Sequence, residues 1–316
     1  GMSQMSPGQA RVVDPILSTH ARGYRQSTLI GKKLFPVAPV AQYGGKILTF
    51  GKEAFRLYNT KRAPGANTKR IDFGYEGDPY SIVPSALEAK VPRELMRDAS
   101  QVPGIDLGAR SVNTVLRIMA LAHEHECAQI ALDPAKYNAD HKVKLVGSAR
   151  WTSPDSDPTK DVETAKEAIA DSIGMEPNRL MLSRKALSAC KYHPKLIERV
   201  KYTRAESITI DMLKALWEVE EIVVGTARVA TGANDSFGDV WGPDVWLGYV
   251  SDNPDPSVEE PSFGYTYQIE GHPLVEVPYW DNNAKSWIYG VSDDNTPALS
   301  GMLAGYLIED AGLPAA

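Results

Sequence analysis

The stretch Ser153–Val224 constrains the fold most, because it alternates helix and strand signals with a cap or stop at almost every boundary. Asp157 can cap a helix that begins with Pro158, where a missing N–H costs nothing. Val162, Ala165, Ile169 and Ile173 recur at helical spacing, and Gly174 supplies a left-handed stop. Pro177-Asn178 turns the chain, and Arg179–Leu182 reads as a short apolar strand bounded by Ser183. Ser183 caps a second helix to about Lys191. His193-Pro194 starts a third, with Leu196, Ile197 and Val200 on its inner face. Asp211 is the expected cap of a fourth helix, whose apolar residues are Met212, Leu213, Leu216 and Trp217. Ile222–Val224 is another buried strand. This order predicts a compact helix-and-strand unit that reads as a scaffold rather than an active site.

The ends of the chain look different. Residues 1–45 hold one short amphipathic segment, Pro15–Tyr24, and Leu34–Val37 is held extended by Pro36 and Pro39. Such a long unstructured stretch is uncommon inside a compact domain. It is either disordered or laid on a neighbour, and its Leu, Phe and Val content favours the neighbour. Lys46–Phe55 and Ile71–Val91 read as two strand arms around a polar tip, NTKRAPGANTKR. Arms of ~15 residues reach roughly 50 Å. A lone two-stranded ribbon is marginally stable in water, so this one needs a partner surface.

Charge supports that role. Lys46, Lys52, Arg56, Lys61, Arg62, Lys69 and Arg70 precede an acidic set, Asp72, Glu76, Asp78 and Glu88. These are candidate interface residues, since opposite signs set orientation between subunits more than they add affinity. The bland alternative is a solvated hairpin. Asp106 to Asp133 is the clearest long helix, capped by Asp106 and stopped by Pro134, with Leu116, Met119, His123, Cys127 and Ile130 along one stripe. A short strand, Lys142–Val146, follows. Beyond Gly225 come a Gly-rich loop, a strand at Val245–Val250, an acidic loop (SDNPDPSVEEP) and strand-like alternation with a turn at Asn282-Asn283.

Chemistry-bearing motifs are weak. His123-Glu124-His125-Glu126 is not the zinc pattern of two His four apart on one helix face. His123 and Cys127 share a face, but no third or fourth ligand follows, and structural zinc takes four. Glu124 and Glu126 are expected to be solvated or salt-bridged. Cys190 with His193 suggests a nucleophile and base only by sequence proximity, and a buried inert thiol is favoured. No phosphate loop, nucleophile elbow or dinucleotide fingerprint appears. Trp241, Trp246, Tyr249, Tyr279, Trp280 and Trp287 read as core and contact anchors rather than a ligand platform. Asp281, Asp293 and Asp294 do not fit a calcium loop and are expected in a turn and a solvated loop. No catalytic, metal or cofactor-binding residue is assigned. The net charge of −6 with no basic block argues against tight nucleic-acid binding. Two cysteines fit a reducing compartment, and no apolar run of ~20 residues points to a membrane span.

The run DPTKDVETAKEAIADSIGMEPNRLMLSRKALSACKYHPKLIERVKY resembles the axial domain of tailed-bacteriophage major capsid proteins, with its helix, Gly-x-x-Pro-Asn turn, strand and helix ending near His-Pro. The long helix resembles that family's spine helix, the hairpin its extended loop, and SGMLAGYLIEDAG its closing segment. The resemblance implies an α+β phage major capsid fold. Its parts would be an N-terminal arm (1–45), an extended β-hairpin loop (46–91), a peripheral domain (92–148 and 262–298) and an α/β axial domain (149–261 and 299–316). It implies a non-enzymatic head protein of a phage or prophage. Pentamers and hexamers of it would close an icosahedral shell around double-stranded DNA, without sequence-specific binding. Assembly would take place in the bacterial cytoplasm, with a maturation protease and a portal as partners. The chain has too little sequence ahead of the arm for the scaffolding segment some members carry, which implies a separate scaffold protein or an already processed form. An encapsulin-like compartment shell is one alternative. A metal- or cysteine-dependent enzyme using His123, Cys127 or Cys190 is another.

Overall fold

The computed structural model describes residues 13–47, 57–70, 79–99, 106–200, 207–231, 234, 236–252 and 261–316. Much of both expected hairpin arms and most of the acidic loop lie outside these residues. Helix α1 (Pro15–Gly23) is capped by Asp14, whose carboxylate accepts from the Ile16 and Leu17 amides. A single turn, α2 (Gly31–Leu34), leads to β1 (Val37–Val40) and β2 (Gly44–Lys46). β3 (Pro79–Ser81) pairs with β2, and β4 (Ala86–Pro92) runs on into α3 (Arg93–Ala99). The long helix α4 (Leu107–Ala131) is capped by Asp106 through the Ala109 amide, as expected, and is about 37 Å long at 1.5 Å per residue.

After β5 (Lys142–Lys144), the central stretch follows the expected order: α5 (Pro158–Ile173), β6 (Arg179–Ser183), α6 (Arg184–Lys191), α7 (Pro194–Arg199), α8 (Ile210–Trp217) and β7 (Glu221–Gly225). Asp157, Ser183 and His193 cap their helices, and Gly174 ends α5 with φ 72°. One cap is corrected. Thr209 Oγ1 accepts from the Met212 amide, and Asp211 sits inside the first turn of α8, where its charge still suits the positive helix end. The hairpin of β8 (Arg228–Thr231) and β9 (Ser236–Asp239) precedes β10 (Val245–Gly248). The chain ends with β11 (Gly264–Ile269), β12 (Leu274–Val275), β13 (Tyr279–Asp281), β14 (Ser286–Ser292), β15 (Asn295–Leu299) and β16 (Gly305–Glu309).

Three sheets carry the fold. A five-stranded mixed sheet runs β5-β16-β10-β6-β7. Its central strands β6 and β10 are buried at every residue, which is why they read as continuous apolar runs. β14 pairs with β4 along one edge and with β12 and β13 along the other. The third sheet runs β1-β11-β15. Helix α4 serves two cores. Val112, Val115 and Leu116 pack with Val91, Tyr289 and Val291, whereas Cys127, Ala128 and Ala131 join the main cluster around the five-stranded sheet. No helix among the described residues is long and apolar enough to cross a membrane.

The expectation that Leu34 to Val37 lies on a neighbour is corrected. Leu34 and Phe35 are fully buried in this chain's own main cluster. Two buried charges hold the turn that carries them. Glu124, on α4, accepts from the Ile30 amide at 2.9 Å and the Gly31 amide at 2.6 Å. Arg179, on β6, donates to the Lys33 carbonyl at 2.6 Å. The acid thus meets the positive end of α2 and the guanidinium its negative end. Gly31 is required by this approach, since a Cβ there would lie 2.8 Å from the Glu124 carboxylate.

Candidate assembly surfaces

The described parts of the hairpin are rooted by packing and by one carboxylate. Ala38, Ile47, Ile82, Tyr265 and Tyr267 form a separate buried cluster, and Tyr80 stacks on Tyr267 with ring centroids 4.3 Å apart. The Ile82 amide donates to the Tyr43 carbonyl at 2.7 Å, joining the two arms next to the β2–β3 pair. Asp294, between β14 and β15, is only 6% exposed. Its Oδ2 accepts from the Tyr43 hydroxyl at 2.5 Å and its Oδ1 from the Ser85 amide at 2.9 Å. Its own amide donates to His272 Nδ1 at 3.0 Å. The bond to Asp294 pushes the Tyr43 phenol up. The solvated-loop expectation for Asp294 is therefore corrected, whereas Asp281 does make a turn by accepting from the Asn283 and Ala284 amides.

At the other end, every residue from 57 to 70 is exposed, Leu57 completely. Pro64-Gly65 turns the chain, with Gly65 at φ 81° and the Ala66 amide on the Ala63 carbonyl. Lys61, Arg62, Lys69 and Arg70 lie here, with no carboxylate in the segment. Of the other predicted interface residues, Lys46 is exposed on β2 and Glu88 is exposed on β4. Lys52, Arg56, Asp72, Glu76 and Asp78 lie outside the described residues.

The aromatic set divides by location. Trp241 and Trp246 are fully buried. Trp280 and Trp287 meet edge-on at 5.8 Å as a cross-strand pair of the β13–β14 ladder, with Trp287 partly exposed.

The chemically suggestive residues are occupied structurally. Glu124 is 1% exposed rather than solvated, and it also accepts from the Trp241 indole at 2.8 Å. Burial pushes its carboxyl up, against those hydrogen bonds. Nothing in the sequence marks it, because the residues that satisfy it are distant along the chain. His123 Nε2 lies 2.8 Å from Thr266 Oγ1. That hydroxyl already donates to the Phe35 carbonyl, so Nε2 carries the proton. Burial, then Lys32, push His123 down to about 4, so the ring is neutral at ordinary pH. Burial raises both cysteine thiols, leaving them unreactive. Among the described residues no three of His, Cys, Asp and Glu form a metal-holding group. A cleft of about 570 Å3 lies beside α6 and α7, lined in part by Trp151, Arg184, Tyr192 and His193. His193 is committed within it, accepting from the Lys195 amide and donating to the Ser153 carbonyl.

Residues 136–254 match the family described as Phage major capsid protein E. Over 301 residues the chain is 36% identical to the major capsid protein of Burkholderia phage BcepMu, spanning 94% of this chain and 96% of that one. The chain belongs to the phage major capsid proteins. A crystal structure of a phage-related protein from Bordetella bronchiseptica RB50 is 99% identical, with a TM-score of 0.86 over 98% of this chain and all of that one. A chain of the satellite phage P4 procapsid shares the capsid fold at 11% identity, with a TM-score of 0.53 over 95% of this chain and 92% of that one. As a phage major capsid protein it is a structural component of the virion, and its copies build the shell. The α+β capsid fold is the architecture described above.

Proposed function

We propose that this capsid protein closes an icosahedral shell of pentamers and hexamers around double-stranded DNA, with the hairpin reaching from each copy onto the next. The observation that carries the hairpin's part is the tip: fourteen consecutive exposed residues, 57–70, with four cations and no carboxylate, on a root packed into the body. Such a tip, exposed throughout and carrying only positive charge, suits a carboxylate-bearing surface on a sister copy. Contacts between different patches close into rings when the rotation permits, as a shell requires. The peripheral body would comprise 92–148 and 262–298, and the axial body 149–261 and 299–316. A separate scaffold protein, a maturation protease and a portal would act with it in the host cytoplasm. The enclosed DNA would be held by confinement, which the net charge of −6 favours.

The test is the fourfold variant Lys61→Glu, Arg62→Glu, Lys69→Glu and Arg70→Glu, expressed beside the neighbouring phage genes and viewed by negative-stain microscopy. The expected result is a folded subunit that builds no shells. Shells at the wild-type yield would overturn the hairpin's role.

A further inference from the structure

The geometry points to Asp294 as the residue that aims the hairpin. This rests on the reading of the hairpin as a contact between copies, and it adds what holds the hairpin in a contacting pose. The segment leaves the body after Tyr43 and returns before Ser85, and one buried carboxylate binds both points. Tyr43 donates from the outgoing side and Ser85 from the returning side, each to a different oxygen.

The carboxylate is itself fixed. The Asp294 amide donates to His272 Nδ1, and the Asp294 carbonyl accepts from the Ile269 amide at 3.0 Å. The adjacent Asp293 amide donates to the Ser85 carbonyl at 3.0 Å, so Ser85 is held by both its amide and its carbonyl. Two arms that each end on a rigid carboxylate keep a fixed angle to the body. Backbone ladders hold the chain up to Val40 and again from Ala86, and between those points the Asp294 carboxylate adds directional ties at Tyr43 and Ser85 that the apolar packing of Tyr265 and Tyr267 cannot supply. An asparagine with Oδ1 on the Ser85 amide keeps Tyr43 only by reversing that bond, Nδ2 donating to the hydroxyl, so neutral bonds replace charge-assisted ones. Asp294 is buried and acts through the arms, so it is a positioning residue.

Hydrogen exchange on the full-length subunit tests this, together with shell yield. In Asp294→Ala, exchange at Ile82 and Ser85 is expected to quicken by about tenfold or more, the scale for loss of a charge-assisted hydrogen bond. Exchange in β6 and β10 should stay unchanged, and shells should be lost. Tyr43→Phe removes one of the two ties at a residue that is 44% exposed, so the fold is spared. It should quicken exchange at Ile82 by less and lower the shell yield in part. Unchanged exchange at both amides in both variants would overturn the proposal. So would wild-type shell yield from Asp294→Ala while the fourfold tip variant builds none. If the tip variant itself assembles normally, the hairpin's contact role fails instead, and the exchange result still decides what Asp294 holds. Should Asp294→Ala lose protection throughout the subunit, Tyr43→Phe decides alone: a loss confined to residues 43–47 and 79–86 supports the proposal, and none overturns it.

Discussion

Glu124 joins the N-terminal segment to the body through a single carboxylate. Its carboxylate satisfies the Ile30 and Gly31 amides and the Trp241 indole together. Glu124→Ala leaves three buried donors without a partner and is expected to cost about 3 kcal/mol or more, measured by urea unfolding of the subunit. Asp244 behaves differently, because its carboxyl is pushed up from 3.8 to about 6, chiefly by burial and further by Asp310 and Glu309. Between those pH values the folded chain keeps a proton that the unfolded chain has released. Stability from this group is therefore complete below about pH 4 and declines as pH rises through about 6. Asp244→Asn keeps an oxygen for the Asp310 amide, which donates to Oδ1 at 2.8 Å. That variant should lose the pH dependence in this window and be more stable at pH 7, by up to about 3 kcal/mol. Unfolding midpoints at pH 4, 5, 6 and 7 read this directly. Neither residue was legible in sequence. Glu124 sits in a polar tetrad, and the groups that bury it come from elements up to 117 residues away.

Among the elements, those with local punctuation were legible and those without it were not. Helix α5 has Asp157 and Pro158 at one end and Gly174 at the other, and both boundaries follow from these residues. Gly174 sits at φ 72°, so Gly174→Ala is expected to cost about 1 kcal/mol, read as a lower urea midpoint with an unchanged slope. Helix α8 shows the limit of the same signals. Thr209 and Asp211 both suit a cap, and only the backbone bond from Met212 to Thr209 distinguishes them. Helix α2 was missed because four residues with no side-chain cap carry no pattern, and its dihedrals are held by Glu124 and Arg179 from outside. The hairpin tip was legible as polar and turn-forming, whereas its root was not, since Asp294 looks like any loop aspartate until Tyr43 and Ser85 are placed beside it.

Across the whole molecule, the N-terminal segment is an internal brace. Phe35 lies against Phe263 with centroids 5.5 Å apart, and a Cβ on Gly264 would strike its ring. Phe35→Ala in the isolated subunit is expected to lower the unfolding free energy by about 3–5 kcal/mol. Had this segment lain on a neighbour, the isolated subunit would be indifferent to the change, so denaturation at low protein concentration separates the two arrangements. The same brace links both ends of α4, because α1 packs with its first half and the turn carrying Leu34 with its second. A subunit built this way buries its N-terminal brace within its own body while residues 57–70 stay exposed.

Helix caps, proline and glycine stops and the apolar runs of β6 and β10 were decided by the sequence itself, because each acts through neighbours a few residues away. Tertiary structure alone decided that Leu34 and Phe35 turn inward and that Glu124, Arg179 and Asp294 are buried. The bonds that settle those points join residues from 93 to 251 positions apart, and a carboxylate gains its place only when distant donors are already there to meet it.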